Sequence, residues 1–276
     1  MITSSILLLF GLGLAAAVVL AVASKVFYVE EDPRIEAVSE VLPGANCGGC
    51  GFAGCDSYAA AVVTNPDVPP NCCVAGGAET AAKVAELTGK SAGASEPMIS
   101  FRRCVKDEGK VAKKYDYQGV PSCAAAHMMG GADACAYACL GFGDCMRACP
   151  FGAMSIDNGL VRIDPALCTG CGVCTRTCPR NILELIPVRA RVMVFCSSRD
   201  KGKAVMAVCQ AGCISCMMCV KKCPAKAISL KDGRIHIDHE KCLEFGPGCE
   251  EACVAACKKR HIMRARLAPG EQRQAA

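Results

Sequence analysis

From Met1 to Ser24 the chain carries no charged side chain, and Ile6 to Ala23 is almost wholly apolar. A run of this length meets the roughly 18–20 residues that a helix needs to cross the hydrocarbon core of a bilayer. Ala21-Val22-Ala23 has the small-residue look of a signal-peptide cleavage site, but Met1 to Ser5 lacks the basic region that such a peptide wants. The reading is a membrane anchor over residues 1–26. Lys25, directly after the apolar run, places the C-terminal side in the cytoplasm. Gly11-Leu12-Gly13 with Ala16 spells a dinucleotide fingerprint, yet no strand precedes it and it lies inside the apolar run, so it carries no chemistry.

Beyond the anchor the pattern becomes amphipathic. Asp32-Pro33 opens a short helix with Asp32 as cap and Pro33 in the first turn. Ile35, Val38, Val41 and Leu42 give that helix an apolar side, and Pro43-Gly44 stops it. A glycine-rich loop over residues 44–54 precedes a helix from about Asp56 to Val63. The loop from Asn65 to Asn71 holds three prolines, and Ala78 to Leu87 is a third helix. These elements predict a small helical domain, residues 27–95, closed by a linker from Gly89 to Pro97.

The second half contains a repeat. Cys149-Pro150 runs through Met154-Ser155-Ile156-Asp157-Asn158-Gly159 to Cys168, and Cys223-Pro224 runs through Ile228-Ser229-Leu230-Lys231-Asp232-Gly233 to Cys242. The two gaps are equal. Asn158-Gly159 and Asp232-Gly233 sit between alternating segments and signal tight hairpins. The expected architecture is α+β: one N-terminal transmembrane helix, the helical domain, and two tandem units of βαβ-repeat type. Unit one spans residues 135–187 and unit two residues 213–264. Connecting segments take up 96–134 and 188–212, and a tail 265–276.

Composition changes the picture most through cysteine, 25 of 276 residues, with no Trp and only 5% aromatic residues. Secreted disulfide scaffolds reach such density in much shorter chains, which leaves metal as the alternative for the thiols. The formal charge of +5 counts every cysteine as neutral. A 4Fe-4S core of charge 2+ held by four thiolates adds about −2, so five clusters bring the total to roughly −5. A basic protein seeking nucleic acid is thereby set aside.

Spacing identifies the metal chemistry. Cys168, Cys171, Cys174 and Cys178-Pro179 form a C-x2-C-x2-C-x3-C-P run, as do Cys213, Cys216, Cys219 and Cys223-Pro224. Three close thiolates wrap three irons of a cube, and the fourth, carried onward by the proline turn, reaches the neighbouring cluster. Each run has a looser partner, Cys135, Cys139, Cys145 and Cys149 before the first, and Cys242, Cys249, Cys253 and Cys257 after the second. Exchange of fourth ligands gives four quartets: Cys135, Cys139, Cys145 with Cys178; Cys168, Cys171, Cys174 with Cys149; Cys213, Cys216, Cys219 with Cys257; and Cys242, Cys249, Cys253 with Cys223. Lys258 stands where a proline would follow Cys257. Zinc is the competing occupant of four-cysteine sites, but zinc pairs do not need the triple-then-Cys-Pro order.

Cys47, Cys50 and Cys55 form a different array among Gly48, Gly49, Gly51 and Gly54, small residues that let backbone N–H groups approach the sulfurs. Its fourth ligand is Cys72 or Cys73. The remaining thiols, Cys104, Cys123, Cys196 and Cys209, amount to one further cluster's worth of ligands; ordinary buried thiols are the alternative. His127, His236, His239 and His261 are scattered without ligand spacing, with His236 and His239 read as exposed. The basic tail Lys258-Lys259-Arg260, Arg264, Arg266 is read as a solvated face, or as a contact for an acidic partner or lipid headgroups.

On the anchor, the Cys47-Gly-Gly-Cys50-Gly-Phe-Ala-Gly-Cys55 loop with Gly76-Gly77 after it, and the ferredoxin runs, the chain resembles the B subunit of the Rnf complex, the ion-translocating ferredoxin:NAD oxidoreductase, in its long form with two ferredoxin units. In that family's pattern the fourth ligand of the first array follows Asn-x and precedes the Gly pair by three residues, which selects Cys73. The resemblance implies about five 4Fe-4S clusters and a bacterial or archaeal cytoplasmic membrane. It further implies electrons accepted from soluble ferredoxin and relayed to other membrane subunits, which would hold flavin and NAD and conduct sodium ions or protons. The chain itself has no credible nucleotide motif, so direct nicotinamide or flavin binding is not expected, and its own chemistry is electron transfer. Rival readings are a polyferredoxin subunit of another membrane redox complex and a protein that resets a redox sensor.

Overall fold

The computed structural model describes residues 2–27, 32–93, 96–108, 111–259 and 263–265. Helix α1 (Ile2–Val26) contains the stretch Leu9–Val26, of mean hydropathy 2.1, none of it buried against the rest of the chain. By length and composition it is the one described helix able to cross a membrane.

Helix α2 (Pro33–Val41) starts where the sequence predicts, with the Asp32 carboxylate accepting the Arg34 backbone N–H at 2.9 Å. Helix α3 (Cys55–Thr64) begins on a cysteine of the glycine-rich loop. Helix α4 (Gly77–Thr88) ends on Gly89 in the left-handed conformation. The three pack around Val38, Leu42, Tyr58, Ala59, Val62 and Val84. Lys90 Nζ donates to the carbonyls of Val62, Asn65 and Val68 at 2.7–2.8 Å, satisfying the end of α3 and pinning the proline-rich loop beneath it. That loop leads directly into Cys72 and Cys73.

The next region builds around two antiparallel pairs. Strand β1 (Met98–Arg102) pairs with β4 (Leu183–Pro187), with Ser100 opposite Leu185. Strands β2 (Met154–Asp157) and β3 (Leu160–Ile163) form the hairpin, and its corner residues Asn158 and Gly159 have φ of 49° and 69°, as a tight Asn-Gly turn requires. Short helices α5 (Cys123–Met128), α6 (Asp144–Arg147) and α7 (Val173–Thr177) complete the region. The pattern recurs with β5 (Val192–Val194) paired to β8 (Met263–Ala265) and β6 (Ile228–Lys231) paired to β7 (Arg234–Ile237). The second hairpin turns on Asp232 and Gly233 at φ 49° and 79°. Helices α8 (Gly202–Val208), α9 (Met218–Lys222), α10 (His239–Phe245) and α11 (Ala252–Ala255) accompany it.

The structure departs here from the sequence reading. Segments 96–134 and 188–212, expected as connections, each begin with a strand, β1 or β5, that pairs with the last strand of its unit. A short apolar run whose partner lies far downstream gives no hairpin signal. The cores are small, and cysteines pack into both. Leu160, Val161, Ile182 and Leu183 pack with Cys139, Cys145 and Cys174, while Val192, Val194, Ile228, Ile235 and Ile237 pack with Cys219 and Cys253. Phe101 and Phe195 meet edge-on, ring centres 4.7 Å apart, where the two units join.

Candidate iron–sulfur centres

The glycine-rich loop curls over the start of α3 because the Asn46 side chain accepts the Cys55 backbone N–H at 2.8 Å. Cys47, Cys50, Cys55 and Cys73 then line one cavity. Cys72 does not line it; its thiol is pushed up by burial and lies beside Cys50 at the edge of the helical core. Burial likewise raises the Cys73 thiol, and the Gly76 backbone N–H, donating to its sulfur, draws it partly back. The Gly pair after Cys73 therefore has a local role as a sulfur cap.

In the first unit, Cys149, Cys168, Cys171 and Cys174 line one cavity. The neighbouring quartet differs from the expected one. Cys139, Cys145 and Cys178 share their cavity with Cys123, not Cys135. The cause is Asp144, whose carboxylate accepts from the Ser122 hydroxyl at 3.1 Å and the Ala124 N–H at 3.0 Å. These bonds fasten the start of α5 to the helix bearing Cys145. Burial and the thiols of Cys139, Cys178 and Cys123 push Cys145 up to about 12.

Cys135 is drawn elsewhere. Lys114 N donates to Ala132 O, Ala134 N to Ala112 O, and Ala112 N to Val208 O, so one short extended segment ties residues 132–134 to the end of α8. A fourth cavity is lined by Cys104, Cys135, Cys196 and Cys209. The spare set expected from sequence, with Cys123 as a member, is corrected to this one. Its cysteines come from the ends of β1, β5 and α8 and from the loop before α6. Arg103, only 2% exposed, organises them. Its guanidinium donates to Cys196 O at 3.1 and 3.2 Å and to Ile235 O, and pairs with Glu184 at 3.0 Å. Burial pushes the Cys104 thiol up to about 12 and Cys135 to about 11.

In the second unit, Cys223, Cys242, Cys249 and Cys253 line one cavity. Cys213 and Cys219 are raised by burial to about 11 and about 12, and each is also raised by the thiols of Cys216 and Cys257, which brings these four together. Twenty-four of the 25 cysteines thus fall into six quartets, and Cys72 alone is left over. His236 and His239, expected on the surface, are half-buried, and burial lowers both. His261, Arg260 and Arg266 lie outside the described residues.

The quartets suit a cube of iron and sulfide better than a single ion. Two buried hydroxyls, of Thr169 and Ser215, lack a well-formed hydrogen bond. Both stand inside C-x2-C loops, where cluster sulfur would accept from them. Thr169 already lies near enough to Cys171 to offset part of the rise that burial causes in that thiol. The sequence reading missed these hydroxyls, although their place between paired cysteines was legible.

The six quartets follow one another through short links. Arg176 donates to Cys47 O at 3.0 Å, and a Cβ on Gly49 would stand 2.9 Å from Cys171 O, so only glycine lets the first loop lie on the second quartet. Cys174 and Cys178 lie one turn apart across α7 and belong to adjacent quartets. The Cys139 backbone N–H bonds the Cys104 sulfur. Cys213 N donates to Cys196 Sγ at 3.3 Å. Cys219 and Cys223, across α9, link the last two.

Paired strand–helix units whose cores are built of cysteine define an iron–sulfur protein of ferredoxin type, a carrier of electrons. A family model for an Fe-S cluster matches residues 42–74, and one for a 4Fe-4S binding domain matches residues 160–183. The chain is 48% identical over 249 residues (89% of it, 86% of the relative) to the B subunit of the proton-translocating ferredoxin:NAD(+) oxidoreductase complex of Clostridium ljungdahlii. It is 44% identical over 261 residues (94% and 97%) to the B subunit of the ion-translocating oxidoreductase complex of Methanosarcina acetivorans. Against the B subunit of the Na(+)-translocating ferredoxin:NAD(+) oxidoreductase complex of Acetobacterium woodii it is 41% identical over 252 residues (91% and 72%). The chain belongs to the family of B subunits of ion-translocating ferredoxin:NAD oxidoreductase complexes.

Proposed function

We propose that this chain is the iron–sulfur relay of a membrane complex that couples electron flow between ferredoxin and NAD to the movement of sodium ions or protons. α1 anchors it, the cysteine-bearing domains lie in the cytoplasm, and other subunits hold the flavin, the nicotinamide and the ion path. The observation that carries the reading is the unbroken succession of six cysteine quartets, each joined to the next by a hydrogen bond, a close backbone approach or a single helical turn.

A 4Fe-4S cluster, when bound, supplies a site that takes up and gives back one electron. The residues that would hold six such clusters are Cys47, Cys50, Cys55 and Cys73; Cys149, Cys168, Cys171 and Cys174; Cys123, Cys139, Cys145 and Cys178; Cys104, Cys135, Cys196 and Cys209; Cys213, Cys216, Cys219 and Cys257; and Cys223, Cys242, Cys249 and Cys253. Each unit is a dicluster ferredoxin-like module, and the Cys104 quartet is the link between modules. The protein's contribution is to fix spacing and exclude water.

Ferredoxin docks on the C-terminal units, because the Cys47 quartet is tethered close to the membrane by a short segment after α1. The exit is therefore the glycine-rich domain. Replacing Cys47 with Ser in the whole complex should leave the other centres reducible by ferredoxin while NAD reduction stops. Loss of reduction at every centre in a folded variant would place the entrance at the glycine-rich domain instead. Zinc without acid-labile sulfide in anaerobically purified protein would overturn the relay itself.

A further inference from the structure

We infer that Ser100, a residue outside every cysteine motif, sets the redox potential of the centre held by Cys149, Cys168, Cys171 and Cys174. The inference rests on that ligand set as proposed above. Ser100 is the middle residue of β1 and only 4% exposed. Its backbone N–H donates to Cys168 Sγ at 3.3 Å, and its hydroxyl lies 3.2 Å from Cys174 Sγ. One buried side chain and its own amide therefore engage two sulfurs of the same quartet.

The strand is held over that quartet by close contact. Gly170, between Cys168 and Cys171, has φ +73°, and a Cβ there would stand 2.3 Å from Met98 O. The β1–β4 ladder fixes the register, so Ser100 cannot slide away from the sulfurs. A protonated Cys174 thiol donates to the Ser100 oxygen at 3.2 Å. As an iron ligand Cys174 is a thiolate without a proton, and the hydroxyl becomes the donor.

A donor aimed at a ligand sulfur stabilises the more negative, reduced state more than the oxidised one, which raises the potential. Burial strengthens the effect, since no water competes for the sulfur. This quartet is also the one that touches the glycine-rich loop. Ser100 thereby makes the last centre before that domain a better electron acceptor than its sulfurs alone would.

The test is an anaerobic redox titration of the full chain followed by electron paramagnetic resonance, with iron and sulfide counted in each sample. Cys168→Ala identifies the component that belongs to this quartet. Ser100→Ala keeps the amide and the small volume but removes the hydroxyl. It should lower the midpoint of that component, with an about tenfold lower ratio of reduced to oxidised form at the wild-type midpoint, or about 59 mV for one electron. Ser100→Thr should restore it. A Ser100→Ala midpoint equal to wild type at full iron content overturns the inference. Cys168→Ala protein that keeps all its iron and sulfide overturns the ligand set instead, and the inference with it. Should Ser100→Ala lose iron, Ser100→Thr and Ser100→Val, alike in shape, decide: a lower midpoint in Ser100→Val than in Ser100→Thr supports the hydroxyl, and equal midpoints refute it.

Discussion

Cys123 and Cys135 have exchanged partners relative to what spacing suggests, and pairs of substitutions can read that exchange directly. Six loaded quartets hold about 24 irons, four in each. Cys123→Ala removes one ligand of the quartet with Cys139, Cys145 and Cys178, and should leave about 20 irons. Adding Cys178→Ala strikes the same centre and should cost nothing more. Adding Cys196→Ala strikes the quartet that holds Cys104, Cys135 and Cys209, and should leave about 16. Cys135→Ala behaves in the mirror sense, staying near 20 with Cys196→Ala and falling to about 16 with Cys178→Ala. Alanine is preferred to serine because it offers no oxygen ligand. The pairwise logic needs no absolute potential, since only substitutions in separate sites add. Iron and acid-labile sulfide in anaerobic protein measure it. Should Cys123→Ala with Cys178→Ala fall to about 16 while Cys135→Ala with Cys178→Ala stays near 20, the tertiary assignment is wrong and the spacing-based one right.

Cys73→Ser should abolish the signal of the glycine-rich domain while Cys72→Ser leaves it nearly unchanged, because only Cys73 faces the cavity with Cys47, Cys50 and Cys55; the reverse spectra would refute the register. Arg103→Met strands the carbonyls of Cys196 and Ile235 and leaves Glu184 without its partner. It should cost about 3 kcal/mol, the low end for a broken buried pair because Glu184 is partly exposed. The readout is faster iron loss from the Cys104 quartet in denaturant, and wild-type rates would refute it. Burial raises the Cys104, Cys135, Cys145 and Cys219 thiols, so the vacated sites bind protons tightly and protons compete with iron. Iron transfer to a chelator should therefore accelerate several-fold from about pH 8 to about pH 6; acceleration in the alkaline direction would refute the sign.

The linear sequence by itself determined whatever depends on neighbours along the chain. Twenty-odd uncharged residues make α1 long enough to cross a bilayer whatever else the chain does. Asp32-Pro33, Asn158-Gly159 and Asp232-Gly233 set local backbone angles, so one helix start and two hairpins were legible. The C-x2-C-x2-C triples are likewise local: the loop that wraps three corners of a cube is encoded in its own spacing. Tertiary structure decided what joins distant segments. The strands Met98–Arg102 and Val192–Val194 acquire meaning only from partners at the far ends of their units. Cys123 reaches Cys145 because Asp144 ties two helices together, and Cys135 reaches Cys209 because residues 111–114 bridge them. A cysteine's spacing states which sulfurs its own loop can gather; which fourth sulfur arrives depends on hydrogen bonds and packing made elsewhere, and these have no signature at the cysteine itself.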